Sequence, residues 1–377
     1  MTEQEWTDQL LKRISDKMSY GLEKTEGLEG IPYTVRDGTW AVKKNEWWTN
    51  GFWGAEMWLM YLLTGEEKYR QGALRNEMLM DPALMYEEVL HHDVGFMWLT
   101  QSGVHYALEK DPVSYRRTLR AANFLAGRFN PNGFIRAWNG VEKTGWAIID
   151  CMMNLPLLYW ASRVTKDPRY RQIAMRHADT TLQYFVREDG SCNHIVSFDP
   201  ENGTYLDNPG GQGMYSGSSW SRGQAWGIYG FALSSRMTGK KEYLDAAKKI
   251  ADYVLPHLEG RWIPKIDYCQ AEDDELYDDA AGSITACGLL ELADQLGEKE
   301  GARYAGAARN IMRALDENDC DWTHQTPAIL QRCSECYLIP SGHHMAMTYA
   351  DYFFIEAALR LANKNRMLLW APDLGLN

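Results

Sequence analysis

Residues 151–178, CMMNLPLLYWASRVTKDPRYRQIAMRHA, contain two helices of different character separated by a short polar turn. The first, CMMNLPLLYWASRV, is crowded with large apolar side chains and almost free of charge, the composition of a helix buried nearly all round. The second opens on a polar turn and Tyr170 and then interleaves apolar with charged residues at helical spacing, so only one face is buried.

Working outward, the same pair recurs. A polar turn, a tyrosine and an amphipathic run occur at Tyr69 (TGEEKYRQGALR), Tyr115 (DPVSYRRTLRAANFL), Tyr243 (GKKEYLDAAKKIA) and Tyr304 (GARYAGAARNIM). In the Tyr243 copy the apolar stripe is Tyr243, Ala246, Ala247, Ile250 and Val254. Charge-poor segments accompany them: GFWGAEMWLMYLL, GFMWLTQSGVHYAL, GQAWGIYGFALSSRM, ITACGLLELADQL and, near the end, MAMTYADYFFIEAALRLA. An amphipathic helix at about residues 4–24 opens the chain. The unequal spacing of the tyrosines argues for helical pairs joined by functional loops, not for a uniform solenoid. Six apolar helices shielded by six amphipathic ones predict an all-α chain folded as an (α/α)6 barrel of six hairpins, a single domain over 1–377. Strand alternation is confined to short pieces such as WIPKIDY. A two-layer helical array is the alternative that periodicity alone leaves open.

Composition narrows the function. With 45% hydrophobic and 24% charged residues the chain is globular, and its formal charge of −12 without a Lys/Arg stripe argues against nucleic-acid or membrane partners. The opening MTEQEWTDQLLKRISDK carries acids where a secretory leader needs a basic start and an apolar run, so the cytoplasm is expected. Seven scattered cysteines fit reduced thiols better than a disulfide framework. An acidic small ligand would have to be received by local Arg or His residues against the global field. The chain is expected to work as a monomer or homodimer.

In consecutive hairpins, every loop leading from an outer helix into the next inner one emerges at the same end, and function should collect there. Those loops hold NEWWTNGFW (45–53), LHHDVGF (90–96), FIRAWNG with WAIID (134–150), SCNHIVSFDPENG through GGQGMYSGSSWSRGQAW (191–226), YDDAAGS (277–283) and CYLIPSGHHMAM (336–347). Aromatic rings beside carboxylates, amides and histidines suit a sugar, whose apolar faces stack while its hydroxyls take hydrogen bonds. Asp150, in Ala-Ile-Ile-Asp-Cys-Met-Met, lies among apolar neighbours that disfavour its charged form, as a general acid near neutral pH requires; an N-cap is its plainer reading.

The segments WWTNGFW, HHDVGF, IIDCMMNLPLL, SFDPENG, SSWSRGQAWGIYGFAL and SITACGLLELA, with a weaker echo in ADYFFIEAALRL, resemble in residue content and order the unsaturated glucuronyl hydrolases of glycoside hydrolase family 88. The resemblance implies a metal-free (α/α)6 barrel, without cofactor, acting on small acidic oligosaccharides left by polysaccharide lyases. Such enzymes protonate C4 of the terminal C4=C5 unsaturated uronate and add water at C5, and the hemiketal then opens and releases the remaining sugar. The usual carboxylate-separation rule for retention or inversion therefore does not apply.

On this resemblance Asp150 is the proton donor and Asp93 the second essential aspartate, whose charge would further raise the pKa of Asp150. Asp93 also stands where an N-cap is needed for a helix starting at Val94. His92, His194 and Gln212 are expected at the substrate. Arg222 either receives the uronate carboxylate or braces the loop that carries it. Trp48, Trp138 and Trp226 are expected as stacking platforms, with Trp53, Trp58 and Trp98 in the core. Asp278 matches a family acid of structural or catalytic use. Cys333, Cys336, His343 and His344 have a partial zinc-ligand spacing. The same stretch lacks the Ser/Lys segment with which family members receive a sulfate, which puts a preference for sulfated fragments in question. Three rival functions share the features read so far: an unsaturated rhamnogalacturonyl hydrolase of family 105, a sugar epimerase using paired histidines, and a carbohydrate-binding protein without catalysis.

Overall fold

The computed structural model describes residues 2–363 and 369–372. The chain opens with α1 (Glu3–Glu23), a helix started by a capping box in which Thr2 and Glu5 satisfy each other's backbone N–H groups. A hairpin of β1 (Ile31–Arg36) and β2 (Thr39–Lys43) follows, then α2 (Asn50–Thr64) and α3 (Glu67–Met80). The next inner segment is composite: α4 (Val94–Trp98), one wide π-turn (Leu99–Gly103), and α5 (Val104–Glu109). Beyond it come α6 (Pro112–Gly127), the short pair β3 (Phe129–Asn130) and β4 (Phe134–Ile135), β5 (Trp146–Ile148), α7 (Leu155–Thr165) and α8 (Pro168–Tyr184). Strands β6 (Ile195–Phe198) and β7 (Tyr205–Asp207) join β5 in a small antiparallel sheet. The remaining helices are α9 (Ser221–Thr238), α10 (Lys241–Leu258), α11 (Asp279–Asn318) and α12 (Thr348–Leu361). Gly297, at φ 73° and ψ 177°, breaks α11 into an inner arm and an outer one.

Among the described residues, α2, α4, α7, α9, the first arm of α11 and α12 each pack on the next, and α12 returns to α2. The ring is therefore closed, the (α/α)6 architecture rather than a two-layer array. The inner helices are buried almost throughout, with α9 covered from Ser221 to Ser235, whereas α10 buries only Tyr243, Ala246, Ala247, Ile250, Ala251, Val254 and Leu258. Both patterns follow from composition: a charge-poor helix can be surrounded, and a striped one must face water.

The repeated tyrosine has a structural use. Tyr170 of α8 donates to Asn123 of α6, Tyr243 of α10 to Asp179 of α8 at 2.7 Å, and Tyr304 of the second α11 arm to Asp252 of α10 at 2.8 Å. Each hydroxyl thus fastens one outer helix to the outer helix before it.

Candidate active site

Every inner helix begins at the same end of the ring, and the connecting loops meet there. The β5–β6 ladder pairs Ile148 with Ile195, and the next rung is the Ile149 N–H donating to the His194 carbonyl at 3.0 Å. That register sets Asp150 against His194, with Nε2 of the imidazole 3.8 Å from Asp150 Oδ1. Asp150 occupies a single 3-10 turn (Ile149–Met153) instead of capping a long helix, and its Oδ1 is buried without a hydrogen-bond partner. Burial first, and the Asp93 charge second, push its pKa up to about 7; His92 and Arg222 oppose the rise.

Asp93 stands at the N-cap position of α4, yet its side chain caps nothing there. Asn154 Oδ1 instead accepts from the free Phe96 N–H at 2.9 Å, supplying the cap from a neighbouring helix. The Asp93 carboxylate is thereby released to face His92 Nε2 at 3.1 Å, His91 Nδ1 at 3.4 Å and Asn154 Nδ2 at 3.2 Å. Although its burial works the other way, these partners hold Asp93 below its ordinary carboxylate range. For His92, burial is outweighed by Asp93 and the pKa is raised. Nδ1 of His92 lies 3.0 Å from the Ala137 carbonyl, so both ring nitrogens face oxygen and the imidazolium suits both.

His194 is the opposite kind of histidine. Its Nδ1 accepts from the Gln212 N–H at 3.1 Å, and burial, with Arg222 and His92 nearby, lowers its pKa to about 3. It is neutral, with the proton on Nε2 and directed towards Asp150. The contact depends on Gly211, where a Cβ would lie 1.9 Å from Nδ1.

The other residues singled out from sequence divide into two groups. Trp48 is half-buried against Phe96 and Tyr349, and Trp138 is half-buried with the His92 ring edge-on at 5.9 Å, so each keeps an accessible surface near the carboxylates. Gln212 stands beside His194, but its amide donates to the Glu335 carbonyl at 2.6 Å. Arg222 is ion-paired with buried Asp278 and donates to the carbonyls of Ser334 at 2.7 Å and Glu335 at 2.8 Å. Of the two roles open for Arg222, the bracing of segment 333–335 is the one its contacts serve. Asp278 is wholly buried and also accepts from the Ser334 N–H at 3.1 Å, a structural use.

Trp226 must be corrected. It is 1% exposed and packed between Phe96 and Phe353, so it is core and not a stacking platform. Trp53, Trp58 and Trp98 are buried as expected. The residue that sequence reasoning missed is Asn154, although a polar side chain one helical turn after Asp150 inside an apolar run was a usable signal.

The Cys333, Cys336, His343 and His344 set does not converge. His343 Nε2 lies 3.0 Å and 2.9 Å from the carbonyls of Cys336 and Tyr337, and His344 Nε2 accepts from the Tyr277 N–H at 3.4 Å. Among the described residues, the metal-compatible donors close enough together, within 4.8 Å, are His91, His92 and Asp93. A ligating histidine must present a free lone pair, and both His92 nitrogens are turned to oxygen acceptors, so this group fits a charge network better than a cation. A cavity of about 590 Å³ opens at the opposite end of the ring beside Arg236, Glu291, Gly297 and Arg360. Its Arg236–Glu291 and Arg360–Glu291 charges satisfy one another, whereas unpartnered buried atoms of Asp150 and His194 face each other at the loop end.

Comparison with known proteins bears on this arrangement. The sequence model of Glycosyl Hydrolase Family 88 matches residues 31–254. The chain is similar to an unsaturated glucuronyl hydrolase of Bacillus sp. strain GL1, at 38% identity over 87% of this chain and 90% of that protein. It is 32% identical to an unsaturated chondroitin disaccharide hydrolase of Streptococcus pyogenes serotype M1, over 94% of this chain and 89% of the relative. A solved unsaturated glucuronyl hydrolase described as specific for heparin superposes with a TM-score of 0.88 at 30% identity, covering 95% of this chain and 98% of its own.

Proposed function

The chain belongs to Glycosyl Hydrolase Family 88, and from that premise we propose how its site carries out the work of an unsaturated glucuronyl hydrolase on glycosaminoglycan-derived oligosaccharides. The observation that carries the reading is a buried Asp150 whose pKa sits at about 7 beside an Asp93 held ionised. One carboxyl can hold a proton at neutral pH while its neighbour stays charged, the division of labour that proton transfer to carbon needs.

Asp150 gives its proton to C4 of the unsaturated uronate, and the electron pair of the C4=C5 bond forms the new C–H bond. Positive charge develops at C5 and the ring oxygen, where the ionised Asp93 opposes it with negative charge. Water adds at C5 and returns a proton to the Asp150 carboxylate. The resulting hemiketal opens, and the aglycone leaves with its hydroxyl restored. The His194 Nε2–H, fixed by Gln212 N–H on the other ring nitrogen, donates to the carboxylate or to the entering water. Trp48 and Trp138 supply stacking faces and half-buried Gln212 lies beside His194, whereas His92, expected at the substrate, is 1% exposed and serves Asp93 from behind the site.

Unsulfated fragments are the better substrates in this reading. Segment 333–347 contains no lysine or arginine, the His343 ring nitrogen faces main-chain carbonyls, and the pKa of His344 is lowered by burial and by Arg332. Seven free cysteines suit the cytoplasm, and no helix among the described residues is long and apolar enough to cross a membrane. The closed ring with its shared core is read as one catalytic domain.

The test is a panel of lyase-generated disaccharides, sulfated and unsulfated, followed by the ultraviolet absorbance of the C4=C5 bond. Wild-type protein should abolish that absorbance, and Asp150→Asn should slow the loss by about 10²–10⁴-fold while retaining the fold. Persistent absorbance across the whole panel would sink the hydration reading.

A further inference from the structure

Asn154 is wholly buried at the start of α7, and its side chain makes no cap for that helix. It points sideways instead. Oδ1 accepts from the Phe96 N–H of α4 at 2.9 Å, and Nδ2 lies 3.2 Å from both Asp93 Oδ1 and the main-chain carbonyl of Asp150. One amide therefore touches the backbone carrying one carboxylate and the side chain of the other, across 61 residues of sequence. The fit is close because residue 95 is glycine: a Cβ there would lie 2.7 Å from the Asn154 Cα.

We propose that Asn154 is a positioning residue for the reaction, its Nδ2 tying the Asp93 carboxylate to the turn that carries Asp150 and so fixing the separation of the two acids. The proposal rests on the reading of Asp150 as proton donor. Two jobs are combined in one side chain. Its oxygen takes over the α4 cap that Asp93 would otherwise supply, and its nitrogen then holds the released carboxylate in place. Without the nitrogen, Asp93 can follow His91 and His92 away from Asp150.

The charged and titratable groups facing the pair come from every neighbouring element. Around Asp150 they are Asp93 and His92 before α4, Cys151 in its own turn, His194 before β6 and Arg222 in α9. Around Asp93 they are His91, His92 and Arg128 at the end of α6. Loss of the tie removes negative charge from beside Asp150, so its carboxyl becomes easier to ionise.

The experiment uses Asn154→Ala, Asn154→Asp and wild-type protein, with kcat, KM, the pH profile of kcat/KM and the melting temperature measured for each. Asn154→Asp keeps the volume and the oxygen that accepts from Phe96 N–H but replaces the donor. Both variants should lose about 10²-fold in kcat with KM little changed, as expected when reacting groups drift by about an ångström. In Asn154→Ala the alkaline limb should also move to lower pH. A folded variant with wild-type kcat and an unmoved limb overturns the proposal. So does full recovery in Asn154→Asp of activity lost in Asn154→Ala, which would leave the Phe96 cap as the part that matters. If Asn154→Ala does not fold, Asn154→Asp decides alone. Wild-type protein that leaves the C4=C5 absorbance intact overturns the hydration reading itself, whereas active wild type with unaffected variants overturns only the role of Asn154.

Discussion

In the proposed reaction Asp150 must hold a proton before C4 is protonated and be without it until water adds at C5. Burial raises the pKa of this group to about 7 and Asp93 adds to the effect, so the acid form is lost as pH rises through that value. In the same proposal Asp93 is the charged partner and is held low, so its charge is lost only as pH falls below the ordinary carboxylate range. The expected kcat/KM profile therefore declines on the alkaline side from about pH 7, with its acidic decline set much lower. A profile flat to pH 9 would remove Asp150 from the donor role. Asp150 itself was legible in sequence, because an acid among Ile and Met residues is anomalous wherever it folds. Its partners were not. Arg222 could be narrowed to two uses from sequence, and only its contacts with Asp278, Ser334 and Glu335 favour bracing.

At the scale of elements, the site's geometry depends on how closely the inner helices approach. A Cβ on Gly51 of α2 would lie 2.3 Å from the Phe96 carbonyl oxygen and 2.4 Å from that of Met97, both main-chain atoms of α4 that cannot swing aside. Gly51→Ala is expected to destabilise the protein by about 1–3 kcal/mol through overpacking, read as a lower midpoint in denaturant with an unchanged slope. An unaltered midpoint would show that α2 and α4 are free to separate. The alternation of inner and outer helices was readable because hydrophobic periodicity is a local property. Trp226 escaped that reading for the same reason: α9 is covered on every side, so no periodic stripe distinguishes a ring facing substrate from one facing Phe353.

For the molecule as a whole, the formal charge of −12 sets a field that repels an anionic sugar at long range. The inner helices present their N-termini to the site, and the positive ends of their dipoles act only over the last turn of approach. Raising ionic strength from about 0.01 M to about 0.15 M shortens the Debye length from roughly 30 Å to roughly 8 Å. The expected outcome is a modest rise in kcat/KM for the charged substrate, since more repulsion than attraction is screened. A steep fall would mean that local cations steer the encounter after all. Sequence by itself determined which segments are helices, which are striped and which are surrounded, and that their loops share one end, because each of these follows from local composition and chain alternation. Tertiary structure alone decided that α12 closes on α2, that Asp93 meets Asp150 through Asn154, and that Arg222 is spent on Asp278. Those outcomes depend on the register with which distant loops meet, and register is set by close packing at glycines and by shared hydrogen bonds that no local pattern encodes.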